Sequence, residues 1–259
     1  MLLELTPKRV LIRVEYDGTS YAGWQRQSNA LSIQAVIEVA LSVLFQTKIC
    51  LTGSGRTDSG VHALGQTAHF DCVTNNTAEK IMYALNSLLP DDIKIRECKF
   101  VSSDFHAQYS TKRKTYKYTI YLSNTIQPLK TRFAERVFPP LNIELIKQAI
   151  TILLGTHDFA AFSAYSRSVK TTTREIYDVS IQQASDEISF SITGNGFLYK
   201  MVRMLVGALI AVGKQQMKID DISKMLASGK RDINFKTLPA KGLCLVHVEY
   251  ESALTDNDK

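Results

Sequence analysis

Cysteine is scarce in this chain, and its spacing is not that of a metal or disulfide site. The four cysteines, Cys50, Cys72, Cys98 and Cys244, are scattered without a C-x-x-C pair. Zinc ribbons need closely spaced ligand pairs, and disulfide scaffolds need a far higher density of cysteine. We therefore expect reduced, mostly buried thiols and neither a zinc ribbon nor a disulfide framework.

Long apolar runs are also missing. No segment of the sequence approaches the roughly 20 consecutive apolar residues that a membrane-spanning helix needs. The first residues, Met1 to Arg9, lack the ordered basic, apolar and small-residue regions of a signal peptide. The sequence therefore predicts a cytoplasmic protein with no membrane partner.

What the chain does contain is enough apolar residues for a large core and a moderate excess of positive charge. It has 259 residues, of which 45% are hydrophobic, which suits one large domain or two closely packed ones. The formal net charge of +6 is common among ordinary proteins and also favours attraction to phosphates. Charge alone therefore admits nucleic acid as a partner without establishing it.

Apolar periodicity predicts strands and helices in mixed order. Alternation from Val10 to Tyr16 predicts a first strand, which ends at the turn signal Asp17-Gly18. From Ser32, the expected N-cap, apolar residues recur at helical spacing as far as Leu44. Further strands are predicted at Gln66–Phe70, Ile93–Phe100, Lys114–Tyr121, Thr173–Gln182, Glu187–Gly194 and Leu243–Tyr250, and further helices at Thr77–Leu88, Ile143–Leu154 and Ile219–Ala227.

The order of these elements predicts an α+β fold. A short polar link at 183–186 separates two predicted strands and favours an antiparallel pair, which argues against a purely parallel sheet. Both halves of the chain contain strands plus two helices, with a boundary near 105–112. We therefore predict an N-terminal subdomain over 1–108, a C-terminal subdomain over 109–252 and a frayed polar tail over 253–259.

One charge interrupts an otherwise apolar helix. The segment Met201–Val212 is apolar on every side except at Arg203, so we expect a buried helix that carries a guanidinium into or beside the core. An unpaired buried guanidinium costs several kcal/mol, on the order of other buried charges, so it needs an anion opposite it. A structural ion pair, a reach to solvent along the aliphatic stem and a functional partner are all open to Arg203.

A glycine-rich loop lies between strand signals at Leu51 and Gln66. Three glycines surround Asp58 in the segment 53–60, and glycine permits positive φ or close approach of a backbone to a ligand. The segment lacks the Gly-Lys-Ser/Thr ending of a phosphate-binding P-loop. From the loop alone, Asp58 is either an ordinary surface turn residue or a functional one.

A zinc site built from His62, His69 and Cys72 is a further alternative, because imidazole and thiolate are zinc ligands. The spacing argues against it, since His69 lies in the alternating run 66–70 and no fourth ligand is evident. We therefore predict no metal.

Several motifs carry a resemblance to a known family. The segment Gly55–Ala63 with Gln66 resembles the signature around the catalytic aspartate of the tRNA pseudouridine synthase A family. The resemblance continues in the same order along nearly the whole chain through the segments 15–19, 23–25, 104–107, 115–118, 157–159, 197–203 and 242–243. Ser59 replaces the usual alanine, Gln108 a frequent arginine, and Cys244 a common tyrosine.

The resemblance implies an enzyme that converts uridine to pseudouridine at nucleotides 38, 39 and 40 of the tRNA anticodon stem-loop. It also implies a homodimer that uses no cofactor. The implied fold has two similar subdomains whose mixed, mostly antiparallel sheets join into one extended sheet, with helices on one side and the active-site cleft on the other.

The same resemblance assigns roles to individual residues. Asp58 is the implied catalytic residue, Arg203 its basic partner and Tyr116 the tyrosine that stacks on the target base. Arg56 is the implied RNA-contacting arginine of the loop, and Leu243 is expected to contact the substrate. Basic residues near these motifs are candidates for contacts with the RNA backbone; they are Arg26, Lys112, Arg113, Lys114, Lys117 and Arg174.

These residue types suit the chemistry. A carboxylate can attack C1′ of the ribose or remove the C2′ proton, and a guanidinium opposite Asp58 would favour the anionic form. An extruded base loses a few kcal/mol of stacking and pairing, and one aromatic partner such as Tyr116 restores about 1–3 kcal/mol. The rival functions are a non-catalytic RNA-binding module, which would not need Asp58, and a zinc hydrolase or deaminase.

Overall fold

The computed structural model describes residues 6–164 and 170–251, so the predicted tail over 253–259 lies outside the described residues. The elements in chain order are β1 (Lys8–Tyr16), α1 (Ile33–Phe45), β2 (Thr52–Gly53), β3 (His62–Cys72), α2 (Ala78–Leu88), β4 (Ile93–Val101), β5 (Thr111–Leu122), β6 (Glu135–Val137), α3 (Ile143–Leu153), β7 (Gly155–Asp158), β8 (Thr173–Ala184), β9 (Glu187–Gly194), α4 (Met201–Gly213), α5 (Ile219–Ser228) and β10 (Leu243–Tyr250). The α+β prediction is confirmed.

The chain divides into two compact units. The first contains 1–112 and 245–259, and the second contains 113–244. The predicted subdomain boundary near 105–112 stays a prediction, and most of the C-terminal strand is grouped with the first of these units. Most of β10 belongs to the first unit, because its hydrogen-bonded neighbour there is β3.

The first unit contains the strand order β4-β1-β3-β10, in which β1 pairs antiparallel with both β4 and β3. β1 is central, and its residues Val10, Ile12 and Val14 are fully buried. Helix α1 covers the same face, since Phe45 packs on Phe70, which pairs with Val10. Ser32 accepts a hydrogen bond from the amide of Ala35 and begins α1 as predicted.

The second unit contains the strand order β5-β9-β8-β7, with β6 parallel to β5. The predicted β8–β9 hairpin is confirmed, and its turn is Ser185-Asp186, because Ala184 pairs directly with Glu187. Ser185 has a φ of 56°, which matches the turns that follow the right-handed twist of paired strands. Helix α4 is buried and packs against α3.

Candidate active site

Asp58 lies in a tight loop between β2 and β3 of the first unit. The amide of Val61 donates to the carbonyl oxygen of Asp58 at 3.1 Å, which closes a turn. Gly60 within this turn has a φ of 76°, a conformation that glycine adopts at little cost. The turn fixes the backbone of Asp58 while its side chain is half-buried.

The segment that follows β1 braces this loop from a second direction. The amide of Trp24 donates to the carbonyl oxygen of Thr57 at 3.1 Å. The carbonyl oxygen of Tyr21 accepts from the amide of Gly60 at 3.3 Å and from Ser59 Oγ at 3.2 Å. The residues on either side of Asp58 are therefore both tied to the same neighbouring segment.

Close approach of these segments depends on two glycines. Gly23 has a φ of 90°, and a Cβ there would lie 2.4 Å from the carbonyl oxygen of Thr57. A Cβ on Gly53 would lie 2.3 Å from the indole nitrogen of Trp24, which is 1% exposed. Neither position has room for a side chain, so glycine is required at both.

Hydrogen bonds between buried polar groups also hold the loop in place. The hydroxyls of Tyr16 and Thr57 lie 2.8 Å apart and share a hydrogen bond. Gln66 accepts from Ser54 Oγ at 2.7 Å and donates from Nε2 to the carbonyl oxygen of Gly55 at 3.0 Å. The motif already included Gln66, but no local sequence signal links Tyr16 to Thr57.

Two side chains of the loop are exposed. Arg56 is exposed, as an arginine proposed to contact RNA requires. Ser59, which replaces the usual alanine of the resembled motif, donates its hydroxyl to Tyr21. Alanine would lack this bond, so the departure at Ser59 adds a contact to the loop.

Arg203 lies in α4 of the second unit and is the only residue of that helix that is not buried. The predicted buried helix is therefore confirmed. Arg203 Nε donates to the carbonyl oxygen of Leu238 at 2.7 Å, and the amide of Leu238 donates to the carbonyl oxygen of Arg203 at 3.3 Å. Asp58 belongs to the other unit, and its pairing with Arg203 stays a prediction.

The segment before Leu243 is fixed by a core tyrosine. Tyr118 is fully buried, and its hydroxyl donates to the carbonyl oxygen of Pro239 at 2.8 Å. A Cβ on Gly242 would lie 2.7 Å from the ring of Tyr118, so this position also needs glycine. Leu243 follows directly and is 6% exposed.

A buried carboxylate holds the same segment. The Oε1 of Glu135 lies 2.8 Å from Lys236 Nζ, and its Oε2 lies 3.2 Å from Lys241 Nζ. Burial, together with the negative charge of Glu135, raises the pKa of Tyr118 above its ordinary range. The hydroxyl of Tyr118 therefore stays protonated and keeps its donor role. Sequence reasoning missed Glu135, because its partners are about a hundred residues away.

Tyr116 lies in β5 and pairs with Ile192 of β9. It is half-buried, and its ring meets the edge of Phe197 at 5.2 Å between centroids. Tyr118, two residues later, is the ordinary core tyrosine of the pair.

The basic residues predicted to contact RNA lie in different local settings. Arg26 Nη1 lies 3.1 Å from the nearly buried Glu38. Lys112 is exposed and its Nζ lies 3.0 Å from Glu251 Oε1. The guanidinium carbon of Arg113 lies 4.8 Å from the ring centre of Tyr177, a cation–π contact.

The other three basic residues are more enclosed. Burial lowers the pKa of Lys114 to about 8. Arg174 Nη1 donates to the carbonyl oxygens of Thr171 and Thr173 at 2.9 and 2.6 Å, and burial lowers its pKa. Lys117 is half-buried in β5.

The histidines considered as zinc ligands have local structural partners. His62 Nδ1 accepts from the amide of Gly18 at 3.1 Å. Asp17 Oδ1 also lies 3.1 Å from this nitrogen. Because the backbone amide of Gly18 can only donate, we take Nδ1 of His62 as the acceptor of that hydrogen bond. His69 Nδ1 accepts from the amide of Ala107 at 3.1 Å, and burial lowers the pKa of His69 to about 4.

Cys72, the third residue of the zinc alternative, is buried, and burial raises its pKa to about 11. Such a thiol is a weak metal ligand, because metals bind the thiolate. Within residues 6–164 and 170–251, no group of three or more His, Cys, Asp or Glu side chains could hold a metal ion. In that same part of the chain, no helix has the length and apolar character to cross a membrane.

Comparison with known proteins identifies the class. A family model described as tRNA pseudouridine synthase matches residues 12–110 and 149–251. The chain is 45% identical over 243 residues to tRNA pseudouridine synthase A of Thermoanaerobacter sp. (strain X514), covering 94% of this chain and 100% of that protein. It is 44% identical over 243 residues to the enzyme of the same name from Acetivibrio thermocellus, with the same coverage.

These matches settle the family. The chain belongs to the tRNA pseudouridine synthase A family, and it is accordingly an isomerase that converts uridine to pseudouridine in tRNA. A solved archaeal box H/ACA sRNP Nop10–Cbf5 complex is also similar, with a TM-score of 0.37 and 10% identity, covering 79% of this chain and 44% of that one. A likeness of that size adds nothing to the assignment.

Proposed function

We propose that this enzyme acts on nucleotides 38, 39 and 40 of the tRNA anticodon stem-loop, with Asp58 as the catalytic residue. The resemblance of the segment 55–63 to the aspartate motif supports this proposal. The observation that carries it is the bracing around Asp58, since Thr57 is tied to Trp24, and Ser59 to Tyr21. A reactive carboxylate must be held close to its productive position, and this backbone is held on both sides.

Asp58 acts on the ribose of the target nucleotide. The glycosidic bond between N1 and C1′ breaks, the uracil turns, and a new bond joins C5 to C1′. The proton lost from C5 is balanced by one gained at N1, so the product is an isomer and no cofactor is consumed. Asp58 either attacks C1′ as a nucleophile or removes the C2′ proton as a base.

The target nucleotide is flipped out of the stem, and aromatic contact offsets part of the cost. Tyr116 stacks on the uracil, and the edge contact of Phe197 at 5.2 Å steadies its ring. Arg203 pairs with Asp58 and keeps the carboxylate ionised. Arg56 contacts the RNA near the position in the stem that the flipped nucleotide has left, and Leu243 packs on the substrate.

Six basic residues contact the RNA backbone in this proposal, namely Arg26, Lys112, Arg113, Lys114, Lys117 and Arg174. The ion pair of Lys112 with Glu251 does not exclude phosphate, because both side chains are exposed and such pairs contribute little. The charge of Lys114 depends on pH in the mildly alkaline range. Its pKa of about 8 would rise next to a phosphate, so RNA binding takes up protons at mildly alkaline pH.

We also propose that the enzyme is a cytoplasmic homodimer. The support from the fold is a set of exposed apolar side chains after β5, with Ile126 at 63%, Leu129 at 98% and Phe133 at 51% exposure. Such surfaces commonly mark protein contacts. Leu129→Glu should lower the mass measured by light scattering to that of one chain, whereas Leu88→Glu on α2 should not. A wild-type mass of one chain at every concentration would contradict the dimer.

Mapping of pseudouridine at nucleotide resolution tests the proposed sites. Total tRNA is compared from cells with the gene, without it, and with the Asp58→Ala gene restored. We expect pseudouridine at 38, 39 and 40 to disappear without the gene and to return only with the wild-type copy. Unchanged pseudouridine at those nucleotides would refute the proposed sites, and its return with Asp58→Ala would refute the role of Asp58.

A further inference from the structure

A tyrosine of the first unit is unusually exposed. Tyr109 lies in the loop 102–110 between β4 and β5, and 80% of its surface is open to solvent. One face of its ring stacks on His106, with 4.3 Å between ring centroids and 26° between ring planes. The phenol therefore presents a supported ring to the outside.

His106 also closes the turn that carries Tyr109. Its Nδ1 accepts from the amides of Gln108 and Tyr109, both at 3.2 Å. The amide of Ser110 donates to the carbonyl oxygen of His106 at 2.9 Å, and the amide of His106 donates to Ser110 Oγ at 3.0 Å. The backbone under the exposed ring is thus fixed by four hydrogen bonds.

Arg9 of β1 anchors the start of the loop. Its Nη1 donates to the carbonyl oxygens of Ser103 and Phe105 at 2.5 and 2.8 Å. Its Nε and Nη2 donate to the two carboxylate oxygens of Asp71, each at 2.8 Å. A two-point pair of this kind fixes the plane of the guanidinium, and through it the loop.

Ala107 anchors the middle of the loop. Its amide donates to His69 Nδ1 at 3.1 Å, and its carbonyl oxygen accepts from Tyr250 at 2.7 Å and from Thr111 at 2.8 Å. Successive residues of a strand point to opposite faces, so the His69 side chain lies opposite that of Phe70, which meets α1. The loop therefore covers the sheet face that α1 leaves open.

We propose that Tyr109, backed by His106, is a stacking platform for an unpaired nucleobase of the tRNA substrate. This inference rests on the proposed function, which supplies a stem-loop with unpaired bases. Proteins recognise such bases largely by stacking them on aromatic side chains. A ring held in place before binding loses little conformational freedom. The exposed Lys112 lies three positions later in the same unit and suits an adjoining phosphate.

Binding of anticodon stem-loop RNA to the full-length enzyme tests the platform. A set of RNAs carries 2-aminopurine at one loop position each, and its fluorescence falls when the base stacks. Tyr109→Ala should weaken binding roughly 5- to 100-fold and abolish the quenching at one position, while Tyr109→Trp and Tyr109→Phe retain both. Tyr83→Ala is the matched control, because Tyr83 is an exposed tyrosine of α2 at 64%.

Each outcome decides the question. If Tyr109→Ala and Tyr109→Leu, both folded by circular dichroism, bind within twofold of wild type, the platform does not exist. If they lower the oligomeric mass while RNA affinity per protomer is kept, Tyr109 contacts protein and the inference is wrong. Failure of the proposed function would look different, since wild-type enzyme would then form no pseudouridine at 38, 39 or 40.

Discussion

Arg203 and Leu238 are joined by two hydrogen bonds that run in opposite directions. Arg203 Nε donates to the carbonyl oxygen of Leu238 at 2.7 Å, and the amide of Leu238 returns a bond of 3.3 Å to the carbonyl oxygen of Arg203. The guanidinium is therefore oriented by the segment that leads to Leu243. The pairing couples the position of Arg203 to that of a second proposed substrate contact.

Arg203→Lys should separate charge from geometry. Lysine keeps the positive charge but lacks both the Nε donor to Leu238 and the planar fork. We expect kcat/KM to fall about 10- to 100-fold, which corresponds to roughly 1.4–2.7 kcal/mol of transition-state stabilisation. Single-turnover pseudouridine formation measures it. Arg136→Lys is the control, since Arg136 Nη1 donates to the exposed carbonyl oxygen of Asn124 at 3.2 Å. Equal losses in both variants would contradict the prediction.

The buried bond between Tyr16 and Thr57 should stabilise both the fold and the loop. Tyr16→Phe removes one hydroxyl and leaves that of Thr57 without this partner, so we expect a loss of about 1–2 kcal/mol in the free energy of unfolding. The double variant Tyr16→Phe/Thr57→Val should cost less than the sum of the single changes. Urea unfolding of the four proteins measures the coupling, and strict additivity would show that the two hydroxyls act independently.

Gly53→Ala should displace Trp24, the single tryptophan of the chain. The new methyl group would lie 2.3 Å from the indole nitrogen, and such overpacking costs typically about 1–3 kcal/mol. We expect a red shift in tryptophan emission. We also expect lower activity, because the amide of Trp24 donates to the carbonyl oxygen of Thr57, next to Asp58. Gly196→Ala is the control, since a Cβ on Gly196 would lie 3.7 Å from its nearest neighbour, Arg174 Nε, which is an ordinary van der Waals distance. Wild-type emission from Gly53→Ala would show that the loop adjusts freely.

His69 should make the stability of the enzyme sensitive to mild acid. Burial, with a smaller contribution from Arg9, lowers the pKa of His69 from 6.5 to about 4. The unfolded chain then binds a proton before the folded one does, so stability is retained above about pH 6.5 and is lost as the pH falls towards 4.

His69→Asn supplies the comparison, because its Oδ1 can accept from Ala107 but does not titrate. Urea unfolding at pH 7, 5.5 and 4.5 should show a smaller loss of stability in this variant than in the wild type. Identical losses would mean that other groups cause the acid sensitivity.

Local elements of the fold could be predicted from the sequence. Ser32 as N-cap of α1 and the hairpin around Ser185 depend on neighbouring residues alone, and both were predicted. The short strands β2, β6 and β7 contain two to four residues, which is too few to show a period. The grouping of most of β10 with the first unit has no local sequence signal, because the choice of a strand partner depends on distant parts of the chain.

The candidate site also combines residues that the sequence indicates with contacts that it does not. Asp58, Tyr116 and Arg203 were reached by resemblance to motifs, while their supports lie far away in sequence. Tyr16 and Thr57 are 41 positions apart, and Tyr118 and Pro239 are 121 apart. Such contacts follow from tertiary packing and leave no periodic signal in the sequence.

The central claim is that Asp58 performs the chemistry, and Asp58→Asn tests it most directly. The amide matches the carboxylate in size but can act neither as nucleophile nor as base, while Asp91→Asn changes a fully exposed aspartate of the same unit. With purified enzyme and tRNA, the account predicts no pseudouridine in a single turnover by Asp58→Asn, RNA affinity within a few-fold of wild type, and full activity for Asp91→Asn. Pseudouridine formation by Asp58→Asn at the wild-type rate would contradict the account.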